Sequence, residues 1–403
     1  MKKILVLFIL ISIITAFSAV EIKISGWPGN PNEETAMMKV VENFNNTHKD
    51  IKVVWDPIPG DYKQTLLTRL SAGTAPDIFY IDISYFQEFA NKNVLLPLDL
   101  YVKKDNYDID DFYENLIDGF TSNNRLYGIP KDFSTLALYY NEEIFDKYDV
   151  EYPTSNDTWQ DFLSKAQKLK QNGYETPLVL DADFNRAIPF IIGNDGKLVN
   201  DDLSTAITSQ KSIEGIEFYV NLINKYGVGF EPSNVGSGWI GEAIANSKVA
   251  MGMSGPWTKG FIEEQYPDMK DKIKVVELPV GKKRASMIYT VSWSINRQTK
   301  NRQEAWEVLK YLTTEGQKVF TERTSILPSR KSLAQNIKNN SNKVFFDSVE
   351  YGIPWTVPTK TGIFSRANDQ INSLLKDLFY NKITIEEAQN IINQKYDEWN
   401  SSN

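Results

Sequence analysis

The chain has 403 residues, 41% of them hydrophobic and 12% aromatic, and a formal charge of −8. That is more chain than one hydrophobic core usually organises, so two domains are expected. The negative balance argues against nucleic acid as a partner, and the lack of cysteine excludes disulfides and a lipid-bearing cysteine. With only one histidine as well, the usual transition-metal ligands are missing. No metal site and no cofactor are therefore expected, and His48, in the polar run Asn45-Asn46-Thr47-His48-Lys49, reads as an exposed surface residue.

The first segment reads as a targeting signal. Met1-Lys2-Lys3 precedes an apolar run from Ile4 to Phe17, broken only by Ser12 and Thr15, that ends in Ala16-Phe17-Ser18-Ala19. This pattern is a secretory signal peptide over 1–18, with cleavage expected after Ser18. The run falls short of the ~20 apolar residues that span a bilayer. The mature protein is expected to start near Ala19 and to be released in soluble form, periplasmic or extracytoplasmic and not a lipoprotein.

Val20–Ser25 alternates apolar and polar residues and predicts a strand, followed by turn residues through Asn32. Met37, Val40, Val41 and Phe44 recur at helical spacing, with Glu33 and Glu34 in the first turn where the macrodipole favours them. A strand at Ile51–Trp55 follows, then a helix from Asp61 that stops at Gly73 and a short buried strand at Asp77–Ile81. Strands alternating with helices at this spacing predict parallel β-α-β units with helices on both faces. The pattern returns in a strand at Leu136–Tyr140 and in helices around Trp159–Lys170, Ile213–Tyr226 and Thr384–Trp399, the last carrying Ala388, Ile391, Ile392 and Tyr396 inward. Both halves are thus α/β.

Four sets of segments, in this order, carry a family resemblance: Ala72-Gly73-Thr74-Ala75-Pro76-Asp77-Ile78; Leu126-Tyr127-Gly128-Ile129-Pro130 with Ala137-Leu138-Tyr139-Tyr140-Asn141; Val249 through Gly255-Pro256-Trp257; and Val291-Ser292-Trp293-Ser294-Ile295-Asn296, followed by Ala305-Trp306, Gly316-Gln317 and Leu327-Pro328-Ser329-Arg330. Together they resemble the carbohydrate group of the extracellular solute-binding proteins of bacterial ABC importers, the maltose-binding-protein-like family. The resemblance implies a two-lobed periplasmic-binding-protein fold of type II, with three interlobe crossings near Pro130–Phe133, Tyr289–Trp293 and Leu327–Arg330. The lobes are then discontinuous: 19–131 plus 291–328, and 132–290 plus 329–403. It further implies capture of a sugar or oligosaccharide in the cleft between them, hinge closure, delivery to the membrane permease of the importer, a monomer, and no enzymatic activity.

A sugar presents hydroxyls around two C–H faces, so its site needs flat aromatic rings and polar side chains, charged ones forming the stronger bonds. Trp257, after Gly255-Pro256 at a strand end, matches the family position that stacks on a sugar ring. Trp27 and Trp239 stand in Gly-bearing loops, where side chains tend to serve binding; Trp239 also precedes Ala243 and Ile244 at helical spacing, which fits packing equally. Trp293, in the expected hinge strand, faces either the cleft or the core. Phe364 matches a late stacking position of the family and Trp355 is a second late candidate. Trp55, Trp159, Trp306 and Trp399 fall in regular elements and read as packing. For hydroxyl contacts the candidates are Asp82, just past the end of the third strand, and Asp132 in the first crossing, then Glu33, Asn30 and Arg366. Ser134 stands where maltose-binding protein has a carboxylate, which argues against maltose itself.

Two other readings are open. An exported glycoside hydrolase would use an aromatic cleft and two carboxylates, but no hydrolase motif such as Gly-x-Ser-x-Gly appears. The pair Tyr139-Tyr140 is similar to the adjacent tyrosines of iron-binding members, yet on a strand the two point to opposite faces.

Overall fold

The computed structural model describes residues 19–29, 31–200, 204–324, 326–337, 342–354 and 363–401, without the side chains of 363–366 and 397–401. The signal segment 1–18 lies outside the described residues. Among them no helix is long and apolar enough to cross a membrane.

Fourteen strands are described: β1 (Val20–Ser25), β2 (Ile51–Trp55), β3 (Ile78–Asp82), β4 (Thr121–Ser122), β5 (Arg125–Leu126), β6 (Gly128–Thr135), β7 (Ala137–Asn141), β8 (Leu178–Val179), β9 (Gly229–Phe230), β10 (Met251–Ser254), β11 (Ile273–Val276), β12 (Ser286–Ile295), β13 (Leu327–Pro328) and β14 (Gly352–Pro354). One seven-stranded sheet runs β13-β6-β12-β3-β1-β2 with β14 beside β12, and a five-stranded sheet runs β11-β7-β10-β8-β9. The strands expected from alternation take shape: β1 and β2 pair in parallel from Val20 opposite Ile51 to Ile24 opposite Trp55. Neither sheet is wholly parallel, however. β12 runs antiparallel to β3 and β6, and β7 runs antiparallel to β10 and β11. Strands that arrive through a crossing from the other sheet enter reversed, which local β-α-β periodicity does not register.

Each sheet has its own core. Ile22, Ile24, Phe79, Ile129, Val291 and Trp293 belong to one cluster, and Leu136, Leu138, Leu178, Met251 and Met287 to another. A third, including Phe133, Tyr139, Ile288 and Leu327, lies where the long strands pass between them. From β6 into the residue after it the cluster therefore changes from Ile129 to Phe133 to Leu136, and along β12 from Met287 to Ile288 to Val291. The passage is fastened by Gln317, whose Nε2 donates to the Lys131 carbonyl at 2.7 Å and to Ser329 Oγ at 2.8 Å. Ser329 in turn donates to the Pro130 carbonyl at 2.6 Å. Asp111 holds the last crossing by accepting from Arg330 Nε at 2.7 Å and from the Ser332 amide at 2.8 Å.

Asp77 accepts from the Lys23 amide at 2.9 Å and fixes backbone at the start of β3. His48 departs from the expected exposed residue. It is half-buried, its ring stacked on Phe44 at 4.0 Å and 2°, because positions four apart share one helix face.

Candidate site at the strand ends

The carboxyl ends of parallel strands are where α/β sheets present functional side chains, and both sheets do so here. At the end of β3, Asp82 caps the helix Ile83–Asn91, accepting from the Ser84 amide at 2.8 Å. Burial pushes its carboxyl above the usual range; the bonds from Ser84 pull it down and the nearby Asp132 adds to the push. Asp132, on β6, is buried and paired with Lys131. The Lys131 ammonium lies 5.1 Å from the Tyr80 ring centre and 4.5 Å from that of Phe320, so aromatic faces shield the ion pair. Glu33, in the first turn of the helix Pro31–Thr47, joins the same group. Burial raises its carboxyl, Lys131 opposes the rise, and Asp132 and Glu34 reinforce it. The expected trio Glu33, Asp82 and Asp132 is therefore one electrostatic cluster.

Trp27 follows β1. It is half-buried and meets Tyr62 at 5.3 Å and Tyr80 at 5.1 Å, both edge to face, on the aromatic bed that underlies Lys131. Glu34 anchors this bed, accepting from the Gly29 amide at 3.0 Å and from Trp55 Nε1 at 3.1 Å.

On the second sheet, Trp257 occupies the first turn of the helix Pro256–Gln265, just past β10. Pro256 at the helix start costs no hydrogen bond there, and Gly255 sits so close to the indole that a Cβ would lie 2.1 Å from it. The ring is half-buried, edge-on to Tyr289 at 5.7 Å, with the Arg186 guanidinium 5.7 Å from its centre. Arg186 rises from the first turn of the helix Phe184–Gly193, whose N-cap is Asp183, and its Nη1 donates to the Met253 carbonyl at 3.3 Å. Its Nε is buried without a partner, as is Asn185 Oδ1 beside it. Burial raises the Asp181 carboxyl and the Asp183 charge reinforces this, while Arg186 opposes it.

Tyr289 on β12 links the two halves. Burial raises its hydroxyl to about 12; Arg186 opposes the rise, and Asp183, Asp82 and Asp181 contribute to it. One phenol thus feels charges from residues of both sheets.

The remaining candidates stand elsewhere. Trp293 is 1% exposed and packed on Tyr80 at 4.4 Å, so it is a core residue rather than a ligand-facing one. Its neighbours Ser292 and Ser294 are buried as well, leaving β12 without a solvent face there. Trp239 precedes the helix Ile240–Ala245 and packs edge-on against Phe261 at 4.9 Å; no ring contact among the described residues joins it to Trp257. Asn30, Trp355 and the side chains of Phe364 and Arg366 lie outside the described residues. The Tyr139 hydroxyl is buried and donates to the Gly255 carbonyl at 2.8 Å, an arrangement that supports the Trp257 turn rather than a metal. Sequence reasoning missed Asp181, Asp183, Arg186 and Tyr289, although Asp181-Ala182-Asp183 follows the apolar Leu178-Val179-Leu180 as strand-end carboxylates do.

The lactose-binding protein of Rhizobium radiobacter is 25% identical to this chain over 328 residues, covering 77% of it and 76% of the relative. An ABC substrate-binding protein of Listeria monocytogenes, solved in complex with cycloalternan, is 24% identical, covers 96% of this chain and 99% of its own, and superposes with a TM-score of 0.81. The sugar-binding protein of Xanthomonas citri is 20% identical, covers 94% and 97%, and superposes at 0.83. These likenesses establish the two-lobed fold. The pattern of the bacterial extracellular solute-binding proteins matches residues 29–319, and the chain belongs to that family.

Proposed function

We propose that the protein captures a saccharide between its lobes and delivers it to the permease of an ABC importer, without chemical conversion. The observation that carries this reading is the half-buried Trp257 ring, flanked by Arg186 and Tyr289, together with the carboxylates Glu33, Asp82 and Asp132 clustered at the strand ends of the other sheet. A flat apolar face ringed by charged hydrogen-bonding groups matches the two surfaces of a sugar. Trp27 supplies a second ring on the first lobe. The names of the relatives, which bind lactose, cycloalternan or unspecified sugars, favour the same class.

In this proposal the lobes comprise 19–131 plus 291–328 and 132–290 plus 329–403, and they close about β6, β12 and the segment after β13. The protein is exported by a signal cleaved after Ser18, carries no lipid, and works as a monomer. The test is a thermal-shift screen across neutral mono-, di- and oligosaccharides, since a ligand that binds only the folded state raises its stability. The expected result is a shift with at least one saccharide and no new reducing ends on prolonged incubation. No shift across the panel would overturn the saccharide reading, and turnover would overturn the non-enzymatic one.

A further inference from the structure

The Trp257 indole lies against Gly255, and nothing in the backbone there requires glycine. Its φ of −97° and ψ of −177° are open to any L-residue, and Pro256 holds the position before it extended whatever the side chain. What excludes a side chain is the ring. A Cβ at Gly255 would lie 2.1 Å from Cζ3, 2.3 Å from Cη2 and 2.5 Å from Cε3 of Trp257, and these are its three nearest atoms. Contacts that close cannot exist, so either the turn or the indole would have to move. The turn is fixed on both sides. The Gly255 carbonyl accepts from the Tyr139 hydroxyl at 2.8 Å and from the Thr258 amide at 3.1 Å. Ser254 and Thr258, both fully buried, bond through their hydroxyls at 2.7 Å, and Tyr139 is itself buried in the cluster where the long strands pass between sheets. The indole is only half-buried, and the atoms nearest Gly255 are the far end of its side chain. A side chain at 255 would therefore displace the ring and leave the turn in place. We infer that Gly255 is a positioning residue for saccharide binding: its bare Cα, clamped by Tyr139, is the seat that sets the Trp257 indole where it meets Tyr289 edge-on and stacks on a sugar. The inference rests on the saccharide reading above.

Gly255→Ala tests it through two readouts. In the unliganded protein the indole N–H resonance of Trp257, identified as the one missing from Trp257→Ala, should shift. The melting temperature should stay within about 3 °C of wild type, since Ala suits this backbone conformation. In calorimetric titration with lactose, maltose, maltotriose and cellobiose, each sugar that binds the wild-type protein should bind Gly255→Ala at least about tenfold more weakly. In the Trp257→Ala background the same substitution should change affinity by less than about threefold, because the glycine acts only through the ring. An unmoved resonance would refute the inference, as would a stability loss as large as that of a core truncation, which would make Gly255 structural. Affinity kept within about threefold in Gly255→Ala would refute it too. So would an affinity loss that persists without Trp257, since the new methyl would then meet the sugar itself. Each of these outcomes leaves saccharide capture intact. A wild-type protein that binds none of the four sugars, nor any in the screen above, would remove the saccharide reading and the binding role of Gly255 with it, whereas the resonance still reports the seat.

Discussion

Trp257→Ala separates a ligand-facing ring from a packing one. The indole is half-buried, and in the unliganded protein its loss removes the edge contact with Tyr289 and the guanidinium contact with Arg186. Together these are worth about 1–3 kcal/mol of stability. Trp306→Ala is the matched control, since Trp306 is fully buried and donates to Asp105 at 2.9 Å. That truncation should cost about 3–5 kcal/mol of stability. In binding the order reverses. A stacking anchor is worth at least about 2 kcal/mol, or some thirtyfold in affinity. At a sugar concentration of about 100 Kd the wild-type protein gains about 2.7 kcal/mol from ligand, whereas the variant at the same concentration gains only about 0.9. Calorimetric titration with the best ligand of the screen, paired with melts of both variants, reads these values. Affinity kept within threefold in Trp257→Ala, beside a stability loss as large as that of Trp306→Ala, would refute the stacking role.

The fold was legible wherever burial has one dominant face. The alternation Val20-Glu21-Ile22-Lys23-Ile24 gives β1 its observed bounds, and Met37, Val40, Val41 and Phe44 are all buried on one side of their helix. It was illegible where both faces are covered. Nearly every residue of Phe184–Gly193 is buried and Pro189 lies inside it, so no period betrays the helix that carries Arg186. Strand order is likewise silent in sequence, because pairing of β12 with β6, β3 and β14 joins segments more than a hundred residues apart or on opposite sides of a crossing.

Candidate binding residues were legible through local backbone chemistry. Gly and Pro beside Trp257 marked a strand-to-helix turn, and Asp82 stood at a strand end where it serves as N-cap. Trp293 has the same apparent context as a cleft residue, since Ser292 and Ser294 suggest a polar face; yet those serines are buried and bonded to each other at 3.1 Å. Small hydroxyl residues on a central strand reflect close packing as readily as solvent. Tyr289 lacked any local signal because its importance lies in standing between charges brought together only by the crossing strands.

Gln317→Ala should destabilise the protein by about 2–3 kcal/mol in denaturant melts, because a buried amide bonded to Lys131 and Ser329 in different crossings is lost; an unchanged midpoint would show that the crossings are held elsewhere. Asp105→Asn should lower the melting temperature at neutral pH. Bonds from Lys310 and Trp306 hold the Asp105 carboxyl below its usual range, so its contribution is present above the unfolded-state pKa and lost as pH falls through the folded one; a pH-independent deficit would contradict that origin. Glu33→Gln should do the opposite for stability while weakening the ligand. Burial raises the Glu33 carboxyl above its unfolded value, so the folded state binds this proton more tightly and the ionised group opposes folding at pH 7. Gln removes the charge that burial disfavours, so the melting temperature at pH 7 should rise. The gain should shrink as pH falls through the raised pKa, since wild-type Glu33 is then neutral too. If Glu33 accepts a sugar hydroxyl, losing a charged acceptor costs about 1.5–3 kcal/mol, tenfold or more in affinity. A variant that melts lower than wild type at pH 7, or whose gain persists unchanged in acid, would show that Lys131 needs Glu33 more than burial penalises it.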